Sequence, residues 1–347
     1  MKCINNGLLS ASRFLRGMRP GNKCRPFAAV LFLCLSTLLT GCGSSFDMRF
    51  TDNAQNSNFN MLINASGSAE VAESFASDLC IVDPETEYGA LETLGDSASA
   101  ALFDLNGNRT IYAQNVYTKV YPASLTKIMT ALVALQNASP DMILTASDNV
   151  YLADADAQVA GLAPGDTMTL DQALHILLIY SANDVAMMIA ENIGGDVGTF
   201  IRMMNDEAKR LGATQTNFIN SNGLSDANHF TSAYDMYLVF NEALQFSVFQ
   251  EIISMPSYTT VYHDRDGNIK ELTVNSTNMY LQNVEYPPTG ITVIGGKTGT
   301  TTAAGHCLVQ LVKDTSGRPY IAIVMKSLNV DLLYDNMNAL LRLIPIN

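Results

Sequence analysis

The 347-residue sequence predicts a mixed α and β fold of class α+β for residues 96–347. Strand patterns occur at both ends of this region, helix patterns lie between them, and tight-turn signals separate neighbouring strands. We therefore expect one antiparallel sheet, built from both ends of the region and packed against the helices. The composition, 48% hydrophobic and 15% charged, is that of a globular protein, and we find no internal repeat.

The first 42 residues differ in composition from the rest. They contain six basic residues and no acidic one, followed by the apolar run "PFAAVLFLCLSTLLTGC", which predicts a secretory signal. The closing "LTGC" resembles the bacterial lipobox, in which the cysteine, here Cys42, receives a diacylglyceryl group and becomes the mature N-terminus. An ordinary signal peptide with an incidental cysteine is the alternative. We expect a lipoprotein signal over residues 1–42 and a protein anchored by its lipid to the outer face of a bacterial cell membrane.

Charge and cysteine content limit the classes of partner. Removal of residues 1–42 leaves 14 Lys+Arg against 33 Asp+Glu, a net charge of −19. So acidic a surface repels nucleic acid, and an anionic ligand has to be held by a few local cations. Beyond Cys42, the mature part contains Cys80 and Cys307, which could form one disulfide outside the cell; the sequence does not say whether they meet.

The elements follow in order along the chain. Residues 43–95 are rich in Ser, Asn, Ala and Gly, which predicts a flexible tether. Two strands around Asn106 and Gly107 predict a hairpin. Helix patterns occupy residues 124–137, 170–179, 184–192, 197–211 and 231–244. The tail predicts strands at 291–300, 305–314 and 320–327, then a helix at 332–343, and "DRDGN" at 264–268 is interpreted as a hairpin turn, because it lacks the later ligands of a calcium loop.

The helix at 124–137 contains an unusual charge. It is apolar nearly all round and should be buried, yet Lys127 lies one turn beyond Ser124, on the same face. A lysine in an apolar setting has a lowered pKa, so it can take the proton of a serine hydroxyl that is otherwise a poor nucleophile. The alternative is a lysine that extends outward from the first turn. Taken alone, the S-x-x-K spacing is a weak signal.

Two further stretches of sequence strengthen the prediction that Lys127 activates Ser124. "YSAND" contains Ser181 and Asn183, and "GGKTGT" contains Lys297, Thr298, Gly299 and Thr300. S-x-x-K, S-D-N and K-T-G together are the signature of serine β-lactamases and penicillin-binding proteins, here with Ala182 in place of the Asp. With their surroundings, including "FINSNGLSDANHFTSAYD" and "KTGTTTAAGHCLV", they resemble the low-molecular-mass penicillin-binding proteins that are serine-type D-alanyl-D-alanine carboxypeptidases. The resemblance covers roughly residues 95–345.

The resemblance implies a role for each catalytic residue. Ser124 would attack the carbonyl of the penultimate D-Ala of a peptidoglycan stem peptide, release the terminal D-Ala and form an acyl-enzyme. Lys127 would act as the base for Ser124. Ser181 would relay the proton towards the leaving amine, and Asn183 would hydrogen-bond the substrate. Penicillins would acylate the same serine, and neither a metal nor a cofactor is implied.

The K-T-G segment would bind the substrate. Lys297 with Thr298 would receive the terminal carboxylate, and Gly299 would let the substrate backbone approach the edge strand. The backbone N–H groups of Ser124 and Thr300 would form the oxyanion hole.

Three alternatives remain to be weighed. A class A β-lactamase needs a glutamate that activates water, but "TQTNFINSNGLSD" offers only Asp226, so we expect slow turnover of penicillin. A penicillin-binding sensor without turnover stays open. A nucleotide-binding P-loop would need Gly where Ile291 stands, and we set it aside.

Of the histidines, His175 should belong to the core, while His229 and His306 lie near the motifs and can line the cleft.

Overall fold

The structure is a computed structural model, and it describes residues 78–83, 94–95, 97, 99–154 and 157–345. The predicted signal peptide, Cys42 and most of the predicted tether lie outside the described residues. The described part of the tether is not a free spacer, because Cys80 and Leu94 are buried and their N–H groups donate to Tyr237 and Gln114. In the described ranges, no helix is both long enough and apolar enough to cross a membrane.

The elements mostly match the predicted order. In chain order they are β1 (Ser99–Asp104), β2 (Arg109–Gln114), α1 (Thr126–Asn137), β3 (Ile143–Thr145), β4 (Thr167–Thr169), α2 (Leu170–His175), α3 (Asn183–Gly194), α4 (Val197–Arg210), α5 (Ala233–Ala243), α6 (Ser247–Ile253), β5 (Ser257–His263), β6 (Ile269–Asn275), β7 (Thr292–Thr301), β8 (Gly305–Lys313), β9 (Pro319–Ser327) and α7 (Val330–Leu341). A short 3₁₀ turn, Ala123–Leu125, leads into α1, and a π-helical turn, Ile176–Tyr180, continues α2.

The main sheet joins both ends of the described region, as predicted. Its five antiparallel strands have the order β2-β1-β9-β8-β7, so β1 pairs with β9 from the other end of the chain. The β1–β2 hairpin turns at Asn106 and Gly107, whose backbone N–H groups both donate to Asp104 Oδ1. The side chain that ends the first strand therefore fixes the turn, and β7 is left as an edge strand.

A second sheet was not predicted. Its four antiparallel strands have the order β3-β4-β5-β6, and two of them are only three residues long. So short a strand has too few residues to show alternation in the sequence. The β5–β6 turn is the "DRDGN" stretch, where Asp264 Oδ1 accepts from the backbone N–H groups of Asp266 and Asn268, so the predicted hairpin turn is confirmed.

The helices bury the two faces of the main sheet. On one face, α7 packs on β8 and β9, and its buried side chains form a continuous core with those of the strands. On the other face, Tyr237 of α5 stacks on Phe103 of β1, with ring centroids 4.1 Å apart. Helix α1 is buried and packs against α3, α4 and α5, and the turn that precedes it lies beside β7. The start of α1 therefore faces the edge of the sheet.

Candidate active site

A cleft of about 410 Å³ lies between the start of α1, strand β7 and the start of α3. The predicted site residues Ser124, Ser181, Asn183 and Thr298–Thr300 line it. Ala157 and Gln158 line it from the loop before β4, and Leu333 and Tyr334 from α7. Three motifs that are far apart in the sequence therefore share one cavity.

Lys127 lies beneath Ser124. Its side chain is fully buried, and Nζ is 2.9 Å from Ser124 Oγ, 2.8 Å from Asn183 Oδ1 and 2.6 Å from the carbonyl oxygen of Asn222. Asn222 O and Asn183 Oδ1 can only accept hydrogen bonds. A neutral amine has two N–H groups for these two oxygens, and its lone pair is then left to accept the Ser124 hydroxyl proton. The geometry thus accommodates a neutral Lys127.

The electrostatics favour the same protonation state. Burial lowers the pKa of Lys127 well below its ordinary value, and the nearby charge of Lys297 lowers it further, while Asp184 opposes both effects. The prediction that Lys127 is buried is confirmed, and the alternative of a side chain extending into solvent is wrong.

Ser181 and Asn183 stand at the break between α2 and α3. Ser181 ends the π-helical turn in the left-handed region, with φ +71°, and its buried Oγ has no hydrogen-bond partner in the part of the chain that the structure describes. Asn183 donates from Nδ2 to the carbonyl of Gln158 at 3.0 Å, which turns its Oδ1 towards Lys127. The Ser181 hydroxyl, at the cleft, is thus left without a hydrogen-bond partner among the described residues, whereas both ends of the Asn183 amide are used.

Asp184, which sequence analysis missed, holds one wall of the cleft. Its buried carboxylate accepts from the backbone N–H groups of Ala160, Gly161 and Leu162 at 2.9 to 3.0 Å. These bonds tie the loop that carries Gln158 to the start of α3. The three N–H groups belong to residues 22 to 24 positions earlier in the chain, so no local pattern in the sequence marks this contact.

Lys297 is buried behind the cleft wall. Its side chain is 1% exposed, and its Nζ donates to the carbonyl of Thr298 at 2.9 Å. Burial lowers its pKa to about 7. Lys297 itself does not line the cleft, whereas Thr298, Gly299 and Thr300 do. That Lys297 receives a carboxylate stays a prediction; its ammonium lies just beneath the surface of the cleft.

Two glycines allow the close approach of backbone segments. A Cβ at Gly299 would lie 3.0 Å from the backbone nitrogen of Ser124, so this glycine lets β7 approach the 3₁₀ turn that carries Ser124. From the sequence we expect Gly299 to let a substrate backbone approach the strand. The structure adds a second reason for this glycine, the close contact between β7 and the turn that carries Ser124. A Cβ at Gly223, whose φ is +91°, would lie 1.9 Å from the carbonyl oxygen of Ala123. Gly223 therefore excludes any side chain, whereas at Gly299 a side chain would require the neighbouring backbone to shift by a few tenths of an ångström.

The histidines have three different environments. His175 is buried and stacks on Tyr258, with centroids 4.2 Å apart, so its predicted place in the core is confirmed. His306 lines the cleft and lies 3.3 Å from Thr300 Oγ1. His229 is buried behind α1 and bonds Thr126 Oγ1, so it does not line the cleft, contrary to the expectation. Within the described ranges, no group of three or more His, Cys, Asp or Glu is placed to hold a metal ion.

The two cysteines of the described region do not form a disulfide. Cys80 and Cys307 are both buried free thiols. Burial raises the pKa of each thiol to about 12. The sequence left this pairing open, and the structure resolves it.

Known proteins share this arrangement. The family model of peptidase family S11, D-alanyl-D-alanine carboxypeptidase, matches residues 90–329. The D-alanyl-D-alanine carboxypeptidase DacF of Bacillus subtilis is 33% identical over 67% of this chain and 58% of its own length. DacC of Escherichia coli is 31% identical over 62% of this chain and 52% of its own. The chain thus spans little more than half the length of these curated relatives.

The fold has solved counterparts. The Streptomyces K15 DD-transpeptidase superposes with a TM-score of 0.66 at 25% sequence identity, covering 72% of this chain and 96% of the other. The mixed fold of antiparallel sheets and helices that the sequence predicts is therefore confirmed. Since the family model covers more than half of the sequence, this chain belongs to the D-alanyl-D-alanine carboxypeptidase family of peptidases, family S11.

Proposed function

We propose that this protein is a serine-type D-Ala-D-Ala carboxypeptidase that removes the terminal D-alanine from peptidoglycan stem peptides. The observation that carries the proposal is the environment of Lys127, whose amine has two oxygen acceptors and Ser124 Oγ as its third neighbour. The family and the printed names of the relatives support the same reaction.

The first half-reaction follows from this geometry. Neutral Lys127 takes the Ser124 hydroxyl proton while Oγ attacks the carbonyl carbon of the penultimate D-Ala. The negative charge that develops on the carbonyl oxygen is stabilised by the backbone N–H groups of Ser124 and Thr300, each contributing roughly 3–4 kcal/mol. The tetrahedral intermediate collapses when its C–N bond breaks, and the leaving amine of the terminal D-Ala takes up a proton. Water then hydrolyses the ester at Ser124.

Ser181 and Lys297 complete the proposed mechanism. The Ser181 hydroxyl, buried at the cleft without a partner among the described residues, is available to pass the proton from Lys127 to the leaving amine. Lys297 supplies positive potential for the substrate carboxylate, and Thr298 and Thr300 supply hydrogen-bonding groups at the surface. Asn183 orients the substrate and Lys127 together.

Penicillins acylate Ser124 in the same way, and we propose that the acyl-enzyme is long-lived. Deacylation by the class A β-lactamase route needs a carboxylate that activates water beside the ester. Asp226, which the sequence offered for this role, does not line the cleft. A β-lactamase, or a sensor that acylates without turnover, remains the alternative that the assay below separates.

We further propose that Cys42 is the lipidated N-terminus of a mature lipoprotein on the outer face of the membrane. The support is the basic and then apolar segment that ends in "LTGC". A Cys42→Ala variant should leave the membrane fraction and appear in the soluble fraction. Continued fractionation with membranes would contradict the lipid anchor.

The activity is tested with diacetyl-Lys-D-Ala-D-Ala, by measuring free D-alanine and, in parallel, hydrolysis of penicillin. We expect D-alanine release from the wild type, none from Ser124→Ala, and penicillin hydrolysis far slower than acylation. Glycine added as an acceptor separates hydrolysis from transfer to an amine. Fast penicillin hydrolysis without D-alanine release would favour the β-lactamase; labelling without either would favour the sensor.

A further inference from the structure

We propose that His229 and Thr126 form a positioning pair that orients the oxyanion-hole N–H of Ser124. The proposal rests on the proposed function, since an oxyanion hole matters only to an enzyme that forms an acyl-enzyme. Neither residue lines the cleft, so both would act through the backbone of the 3₁₀ turn that carries Ser124.

The hydrogen bonds around His229 determine where its proton lies. The backbone N–H of Ile219 donates to His229 Nδ1 at 3.0 Å, so Nδ1 carries a lone pair and Nε2 carries the proton. His229 Nε2 then donates to Thr126 Oγ1 at 2.8 Å. The Thr126 hydroxyl has its own proton free to donate, and it does so to the carbonyl oxygen of Ala123 at 2.8 Å. The chain therefore runs in one direction, from Ile219 to Ala123.

This series of hydrogen bonds is shielded from water. His229 is 1% exposed and Thr126 is fully buried. Burial lowers the pKa of His229 to about 4, and the nearby charge of Asp226 opposes this effect. The ring is neutral at neutral pH and keeps both hydrogen bonds.

The last acceptor, the carbonyl of Ala123, belongs to the same peptide unit as the Ser124 N–H. That peptide bond is trans, and a peptide unit is planar, so its C=O and N–H point in opposite directions. Fixing the carbonyl therefore fixes the direction of the N–H. The hydrogen bond also polarises the peptide, which makes the N–H a better donor.

The turn needs this support because its backbone is strained. Ala123 has φ +48°, in the left-handed region that costs a residue with a Cβ about 1–2 kcal/mol. Thr126 holds the carbonyl at two points, through its hydroxyl and its backbone N–H. A Cβ at Gly299 of β7 would lie 3.0 Å from the Ser124 nitrogen. The Ser124 nitrogen therefore lies beside strand β7, which also carries Thr300, the second proposed donor to the oxyanion.

Conservative substitutions separate this role from a merely structural one. Thr126→Val keeps the shape and removes the hydroxyl, whereas Thr126→Ser keeps the hydroxyl. At position 229, Gln places an amide near the Nε2 position and can still donate to Thr126, whereas Asn places its oxygen near Nδ1 and loses Thr126. The matched control is Thr259→Val. The Thr259 hydroxyl on β5 forms a hydrogen bond with the Thr273 hydroxyl, and neither residue belongs to the three motifs.

The measurements are the rate constant for acylation by fluorescent penicillin, and kcat and KM for D-alanine release. Loss of one oxyanion donor costs about 10²–10³ in kcat, so for Thr126→Val and His229→Asn we expect acylation and kcat at least ~10-fold slower with KM little changed. Thr126→Ser and His229→Gln should recover most of that loss. In the Thr126→Val background, His229→Asn should add nothing, since its target hydroxyl is gone.

Several results would overturn the proposal. Acylation within about twofold of the wild type in Thr126→Val, equal losses in His229→Gln and His229→Asn, or additive losses in the double variant would each do so. If Thr126→Val does not fold by circular dichroism, the comparison of the two His229 variants decides alone. A wild type that is acylated by penicillin but releases no D-alanine would refute the proposed function and leave the acylation test of the pair intact.

Discussion

The variant Lys297→Met should show how much the buried charge of Lys297 lowers the stability of the protein. The wild-type ammonium is buried, with one hydrogen bond to the Thr298 carbonyl. Methionine has a similar length without the charge. We expect Lys297→Met to lose most activity and to unfold at higher denaturant concentration than the wild type at pH 6.

The magnitude follows from the pKa of Lys297. Its pKa is about 7 in the folded protein against 10.5 for an exposed lysine, and at about 1.36 kcal/mol per unit this difference corresponds to ~5 kcal/mol. The value is an upper bound, because water and side chains rearrange around a buried charge. We expect Lys297→Met to gain at least ~2 kcal/mol at pH 6.

The pH dependence has a definite sign. Between pH 7 and 10.5 the unfolded state binds more protons at Lys297 than the folded state does, so the wild type gains stability as the pH rises. Lys297→Met lacks this gain. The difference in the free energy of unfolding between the two proteins should therefore be largest below pH 7 and disappear towards pH 10.5.

The assay is urea unfolding followed by circular dichroism, because the chain contains no Trp. Lys209→Met is the control, since that side chain is 77% exposed in a surface ion pair and should change stability by less than ~0.5 kcal/mol. A Lys297→Met variant less stable than the wild type at pH 6, or a difference that does not shrink with rising pH, would refute the reasoning.

Three further predictions concern activity, packing and thiol reactivity. The value of kcat/KM for D-alanine release should fall above about pH 7, as Lys297 loses the proton that attracts the substrate carboxylate; a rate that keeps rising to pH 9 would contradict this. Gly223→Ala should destabilise the protein by more than ~2 kcal/mol in thermal or urea unfolding, because the new Cβ would meet the Ala123 carbonyl at 1.9 Å; an unchanged midpoint would contradict the packing. Cys80 and Cys307 should react with a thiol reagent only after denaturation, since both are buried with pKa values near 12; rapid labelling of the folded protein would show otherwise.

The sequence was informative wherever chemistry is encoded in local spacing. The i, i+3 spacing placed Ser124 and Lys127 on one helix face, and the Asn-Gly pair identified the first hairpin. At most of the helix ends, the observed bound differs from the predicted one by no more than two residues. For example, the last helix spans Val330–Leu341, whereas the prediction was 332–343. Frayed ends and capping account for such differences.

Features that depend on contacts distant in sequence were missed. Asn222 contributes a carbonyl, which every residue has, so its approach to Lys127 leaves no mark in the sequence. The burial of Lys297 depends on the packing around β7, and the positive φ of Ala123 occurs at a residue type that rarely adopts it. The seven-residue helix α6, directly after α5, was too short to show a helical period.

The charge of Lys127 at neutral pH is the most direct test of the account. It can be measured by NMR on protein labelled with ¹³Cε and ¹⁵Nζ lysine, with the Lys127 resonance assigned by its loss in Lys127→Met. The account predicts chemical shifts of a neutral amine at Lys127 at pH 7, because burial and the neighbouring Lys297 lower its pKa. Shifts of an ammonium at pH 7 would contradict the proposed role of Lys127 as the base.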